Sequence, residues 1–345
     1  MNKQRKSVSQ LILFLCLMII LSACSSSTNG VGNTTAINEP VKQADSQGKT
    51  PADQEYQAFE LTNLGYTQTF TEAPKRAVTL NQHVTEMMLA LGLQDSMAGT
   101  AYLDDKILPE YEEAYSKIPV LSDKYPAKEV FMAAEPDFAY AGWQSAFTEK
   151  TLGTVQELAK AGMKTYVQES SNITAPTLDD VYKDIENIGR IFHVEAKATE
   201  VIDKMKADIE QITKQIGPVE QPLRVFVYDS GEDKAYTAAN TYMTYLIGLA
   251  GGKNIFDDIQ KSWAEVNWEE VVDRNPDVIV IVDYGDKSAD QKRDLLLSKK
   301  ELADLPAIAN QRFIVLPLSA ASEGIRAPLA LKILAEGFYP DRFHQ

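Results

Sequence analysis

The chain has 345 residues, 44% of them hydrophobic, with 34 basic side chains against 49 acidic ones and a formal net charge of −15. So acidic a surface repels nucleic acid and anionic lipid headgroups and excludes a phosphate-backbone binder. Both cysteines fall within the first 24 residues, which leaves no disulfide framework or cysteine-based metal site for the rest of the chain.

The chain opens with Lys3, Arg5 and Lys6, then eleven unbroken apolar residues from Leu11 to Leu21, then Ser22, Ala23 and Cys24. Residues 1–23 therefore read as a secretory signal peptide, too short to be a permanent span. The string LSAC at 21–24 resembles a bacterial lipobox, which would make Cys24 the lipidated first residue of the mature protein; a plain secretory leader with a spare cysteine is the alternative. Losing the three basic residues of the leader takes the net charge to −18. From residue 24 to 55 the chain is polar and lacks aromatic residues, so it cannot bury enough apolar surface to fold. It reads as a tether with a reach of roughly 30 Å. No other apolar run is long enough to cross a bilayer, so lipid is the one anchor in view, on the outer face of the cytoplasmic membrane.

The remaining ~290 residues suffice for two domains. From Ala77 the patterning predicts a strand (77–81), a helix (84–93), a strand (97–101), a helix (128–134), a strand (137–142), a helix (149–161) and a strand (163–168). That alternation argues for a parallel sheet with helices on its faces. Thr177 and Asp180 are spaced as a capping box, and Val181, Ile185 and Ile188 share one helical face. Gly189 marks an expected break. Beyond it Val201, Met205, Ile209, Ile212 and Ile216 form one stripe that ends at Gly217-Pro218, a rod of roughly 35 Å. An ordinary amphipathic surface helix and a strut between two units both fit this periodicity; its position between two strand-and-helix regions favours the strut. The second region repeats the plan, with strands at 223–229, 277–284 and 311–319 and helices at 242–250, 269–274 and 327–337. The predicted fold is α/β: two Rossmann-like lobes with mainly parallel sheets, residues 56–176 and 218–345, joined through 177–217 by a single long backbone helix.

One internal match is sharper than the rest. PAKEVFMAAEPDFAYAG in the first half answers VNWEEVVDRNPDVIVIV in the second, so that Glu129 and Glu269 each stand seven residues before a Pro-Asp pair, Pro136-Asp137 and Pro276-Asp277. Together with LSAC, the polar tether, VTLNQHVTEMMLALGL and the mid-chain helix, these segments resemble the substrate-binding lipoproteins of ABC importers for iron-siderophore complexes, haem and cobalamin, the class III periplasmic binding proteins. The resemblance spans roughly residues 73–343. It implies two lobes facing each other across a shallow cleft, a monomer, no cofactor or nucleotide on this chain, and docking on a permease dimer through Glu129 and Glu269. Rim charges of that kind steer docking and set register. A helix-start glutamate stabilised by the helix dipole is the alternative for each.

Open α/β sheets bind ligands at the carboxyl ends of their strands. Here the rule selects Asn81, Gln82 and His83, then Tyr102, Trp143, Tyr228 with Asp229, Tyr284, and the segment 319–326 with Arg326. That aromatic, hydrogen-bonding set suits a bulky, partly flat chelate or cofactor-like molecule. Arg326 would anchor an anionic oxygen, unless it is spent in a surface ion pair. His83 would ligate a haem or cobalt centre, or else be a solvent-facing or capping histidine. With His193 and His344 as the only other histidines, no His and carboxylate cluster for a naked metal ion is visible. An extracytoplasmic enzyme is the rival class. Asp104-Asp105 and Glu112-Glu113 are its candidate carboxylates, but sequence neighbours point different ways, and there is no G-x-S-x-G, Walker or G-x-G-x-x-G motif. A surface receptor on the same fold is a further alternative.

Overall fold

The computed structural model describes residues 55–343. The leader, Cys24, the tether as far as residue 54, and His344 lie outside the described residues. Two Rossmann-like lobes follow in chain order. The first carries β1 (Phe59–Asn63), β2 (Tyr66–Phe70), β3 (Ala77–Leu80), β4 (Met97–Ala101), β5 (Val120–Ser122), β6 (Phe138–Ala141) and β7 (Lys164–Val167); the second carries β8 (Leu223–Tyr228), β9 (Ala235–Ala238), β10 (Gly252–Asn254), β11 (Trp263–Val266), β12 (Val278–Asp283) and β13 (Phe313–Pro317). Strands β5-β4-β3-β6-β7 form one sheet and β10-β8-β12-β13 another, every pair parallel. The hairpin β1–β2 and the ribbon β9–β11 are antiparallel.

Unbroken apolar runs such as FAYA and VIVIV form these strands because a parallel sheet between helices is buried on both faces. The two faces serve different cores. Phe138 and Tyr140 of β6 and Val278, Val280 and Val282 of β12 join one core that also takes in Ile185, Ile188, Ile202 and Met205 of the mid-chain helices. The alternate residues turn outward: Ala139 and Ala141 close a smaller core around Phe131, and Ile279 and Ile281 one around Phe256. Both lobes are thus continuous with the same apolar mass through the connector.

That connector is two helices, Leu178–Phe192 and Glu195–Ile216. The capping box is present, with Asp180 accepting from the Thr177 N–H at 2.8 Å. The break falls at His193, in the left-handed region at φ 58, and not at Gly189. Gly189 serves a different end: a Cβ there would stand 2.6 Å from the Ala198 Cβ, so the glycine lets the two helices close on each other. The 22-residue second helix is the strut, about 33 Å long. The helix expected over 149–161 begins only at Val155, where the Thr154–Glu157 capping box sets its start.

The Pro-Asp repeat has a structural origin. Asp137 accepts from the backbone N–H of Lys75 and Arg76 (2.8 and 2.9 Å), and Asp277 from that of Arg224 (2.9 Å), so each carboxylate ties the start of its lobe's leading strand, β3 or β8, to the neighbouring strand. Glu135 and Asn275, the residues before the two prolines, both adopt φ 48.

Candidate functional site

The strand ends converge where the rule for open sheets places them. After β3 the chain turns through Asn81 at φ 102 into the helix Gln82–Ala90, whose residues are all buried. Gln82 and Glu86 stand one turn apart on it and pin the loop after β4. Gln82 Oε1 accepts from the Asp104 and Asp105 N–H groups (3.1 and 2.9 Å), and Glu86 Oε1 from that of Leu108 (3.0 Å).

Glu86 also reaches the second lobe. Arg326 Nε and Nη2 donate to its two oxygens at 2.6 and 2.5 Å, with 7% of the arginine and none of the glutamate side chain exposed. Arg326 Nη1 donates to Ser319 Oγ at 2.9 Å, Nη2 to the Lys106 carbonyl at 2.6 Å, and Ser319 Oγ donates to Asp105 Oδ2 at 2.9 Å. Nearby, Gln168 Nε2 donates to the Glu323 carbonyl at 2.6 Å. The segment from Leu318 to Arg326 is therefore a polar bridge between lobes, with a recess on either side.

One recess, of about 90 Å³, is walled by Trp143 and Ser171 of the first lobe and by Tyr242, Trp263, Leu318 and Glu323 of the second. The other, of about 400 Å³, is lined by Asp104, Asp105, Asp283, Tyr284, Asp286 and Ser319. Neither is lined by a lysine or arginine. A depression of about 390 Å³ lies elsewhere, between the β1–β2 hairpin and residues 144–156. It draws on one lobe only.

The expected site residues divide. Trp143 and Tyr284 line the recesses. Tyr284 donates to Asp229 Oδ2 at 2.8 Å, and burial beside that carboxylate pushes its phenol well up. Tyr102, at φ 61, packs edge-on against Tyr125. Asn81 is buried: its Oδ1 accepts from Gly142 N–H and the Tyr125 hydroxyl (both 3.2 Å), while its Nδ2 has no partner.

Three residues stand differently from expectation. Tyr228 is in the core of the second lobe, 6.0 Å from the Trp268 ring, with its hydroxyl turned to the Gly231 carbonyl. Arg326 is paired, though inside the molecule rather than on its surface. His83 is neither at the solvent nor open to a metal. It is wedged beside Gly142, where a Cβ would come within 2.3 Å of Cε1, and Gly324, and its ring lies 4.9 Å from Trp143. Burial lowers its pKa to about 3, so it is neutral. Among the described residues no group of three or more metal-ligating side chains gathers, and no helix is long and apolar enough to cross a membrane.

Glu129 and Glu269 are exposed in the first turns of the short helices Lys128–Ala133 and Trp268–Arg274. Sequence reading missed Glu86 and Glu323. An acid in the otherwise apolar stretch EMMLALGL was a usable signal for the first, since a carboxylate on a buried helix needs a partner; Glu323 had none.

Residues 78–320 match the model of the periplasmic binding protein family. The chain is 27% identical over 313 residues to the uncharacterized ABC transporter substrate-binding lipoprotein YvrC of Bacillus subtilis (strain 168), covering 89% of this chain and 93% of that one. It is 24% identical over 211 residues to the vitamin B12-binding protein of Yersinia pestis (strain Pestoides F), covering 61% of this chain and 70% of that one. The crystal structure of a periplasmic binding protein from Veillonella parvula superposes with a TM-score of 0.76 at 34% identity, over 82% of this chain and 98% of that one.

Proposed function

Because the chain belongs to the periplasmic binding protein family, we propose that it captures a bulky, ring-bearing chelate or cofactor-like molecule between its lobes and hands it to the permease of an ABC importer. The observation that carries this reading is the meeting of the strand ends of both lobes over a recess faced by Trp143 and Trp263. Two aromatic walls from opposite lobes suit a flat guest held by stacking. The family binds solutes, which retires the enzyme rival. Residues 56–176 and 218–345 serve as the lobes and 177–217 as the strut between them. The core shared through that strut resists wide opening, so capture proceeds with small lobe movements. Glu129 and Glu269 are the docking points on the permease pair. Cys24 carries the lipid that holds the protein at the outer face of the cytoplasmic membrane, a reading supported by the lipoprotein YvrC.

The test is calorimetric titration of the purified protein with vitamin B12, a ferric hydroxamate and haem, alongside bare zinc and manganese ions. A saturable heat with at least one ring compound or chelate, weakened at least tenfold by Trp143→Ala or Trp263→Ala, is expected. Binding of the bare ions alone would overturn the reading.

A further inference from the structure

The tryptophan-walled recess has a polar end that nothing in the protein satisfies. Thr241 and Tyr242 both line it, 6% and 0% exposed, and neither Thr241 Oγ1 nor the Tyr242 hydroxyl has a hydrogen-bond partner. Folded proteins seldom leave buried hydroxyls alone, and each one unpaired marks a place where a further group is expected. Glu323 lines the same recess, with its carboxyl hydrogen-bonded by Ser171. Burial there raises its pKa to about 7, so near neutral pH it both accepts and donates.

The cleft as a whole is mostly acidic. Arg326, the guanidinium on the bridge between the two recesses, has both prongs on Glu86 and further bonds to Ser319 and Lys106. The facing recess adds Asp104, Asp105, Asp283 and Asp286 with no lysine or arginine in its lining. A ligand carboxylate or catecholate entering this cleft would lose its water beside several carboxylates, and the nearest cation, Arg326, is already shared by Glu86 and, at 3.7 Å, Asp105. An amide edge suits this end better, since its N–H groups can donate to the Glu323 carboxyl and its carbonyls can accept from the unpartnered hydroxyls of Thr241 and Tyr242 once a small side-chain shift exposes them.

This inference rests on the ligand-capture reading and deepens it. We propose that Glu323, Thr241 and Tyr242 form a subsite for the uncharged or cationic, N–H-bearing edge of a ring compound, amide or amine in class, and that the cleft discriminates against anionic ligands. Arg326 is accordingly a strut between lobes and not an anion anchor.

The experiment is a calorimetric ranking of four probes on the purified protein: vitamin B12 and a neutral ferric trihydroxamate against haem, with its carboxylates, and an anionic ferric catecholate. At least one uncharged probe is expected to bind tenfold or more tightly than either anion. Glu323→Lys should narrow or reverse that order, and Glu323→Gln, which removes the charge but keeps one donor and one acceptor, should narrow it less than Glu323→Lys does. Thr241→Val with Tyr242→Phe should weaken the uncharged probe about tenfold without lowering Tm. Tighter binding of haem or the catecholate than of both uncharged probes, or a charge order indifferent to Glu323→Lys, overturns the subsite while leaving the capture reading intact. Failure of all four to bind overturns both.

Discussion

Glu86 and Arg326, 240 positions apart in the chain, meet in a two-pronged ion pair of 2.5 and 2.6 Å that joins the helix after β3 to the segment after β13. The pair lies beneath the cleft, so its removal changes how the lobes face each other as well as how stable they are. Removing one partner leaves the other buried and uncompensated, a cost of about 3–5 kcal/mol. Glu86→Ala or Arg326→Ala is therefore expected to lower the denaturant midpoint strongly. Glu86→Leu with Arg326→Met should recover most of the loss, because no charge is then left stranded. A double variant no more stable than the singles would show that the pair matters for more than its charge balance.

The two exposed glutamates call for a different measurement. Glu129 and Glu269 sit at matching places on the two lobes, each beside a Pro-Asp turn whose aspartate is engaged in the fold. Glu129→Ala with Glu269→Ala is expected to leave Tm and ligand affinity within error and to abolish uptake in cells. Normal uptake by the double variant would remove the docking assignment. Asp137→Ala offers the contrast, since it should lower Tm by leaving the Lys75 and Arg76 N–H groups unpaired.

Membrane attachment is tested at Cys24. Cys24→Ser is expected to stop incorporation of labelled fatty acid and to release the protein from the membrane fraction. Continued labelling of that variant would mean that the lipid sits elsewhere.

The alternating parallel-sheet plan was legible because buried parallel strands print unbroken β-branched and aromatic runs, as in DVIVIVDY and DFAYAG. The β1–β2 hairpin was not, because Leu64, at φ 46, occupies a turn position that asparagine or aspartate usually advertises. Gly189 was misread for a related reason. A glycine in a helical pattern fits a break or a close approach equally well, and only the distance to Ala198 decides. For the candidate site, the strand-end rule selected residues near the recesses between the lobes, such as Trp143 and Tyr284, but not the orientation of each side chain. Tyr228 ends β8 and Tyr284 directly follows β12, yet one turns into the core and the other lines a recess. Arg326 looked available because its partner Glu86 lies in the other lobe, and no local spacing links the two.

Glu323 and His83 give the stability curve opposite slopes. Glu323, facing Ser171, Asp184 and Tyr242, has its pKa raised from 4.5 to about 7, so the folded state holds the extra proton. Its contribution is fully present below pH 4.5 and is lost as pH rises to 7. His83, lowered from 6.5 to about 3 by burial, contributes above pH 6.5 and loses that contribution as pH falls towards 3. The two therefore oppose each other between pH 4.5 and 6.5, and His83 alone acts below that window. Urea midpoints at half-unit pH steps should show Glu323→Gln gaining on the parent chain between pH 4.5 and 7 and running parallel to it above. A constant offset across that range would refute the assignment.

The edge of the first sheet supplies the last expectation. Strand β7 ends its sheet, and its free edge is met by side-chain amides standing in for a neighbouring strand. Asn63 donates to the Val167 carbonyl (2.8 Å) and accepts from its N–H (2.7 Å), and Gln68 does the same for Thr165 at 2.7 and 2.9 Å. The arrangement both satisfies the strand and blocks it as a template for a second chain. Asn63→Leu with Gln68→Leu strips all four bonds from buried backbone groups, at about 1–3 kcal/mol for each group left unpaired. A clear fall in Tm is expected, together with concentration-dependent association seen by light scattering. Ligand affinity should be unchanged, since the hairpin stands apart from the cleft. A variant that keeps its Tm and shows no more association than the parent chain would show that the amides are dispensable and that the hairpin's apolar contacts suffice to hold it.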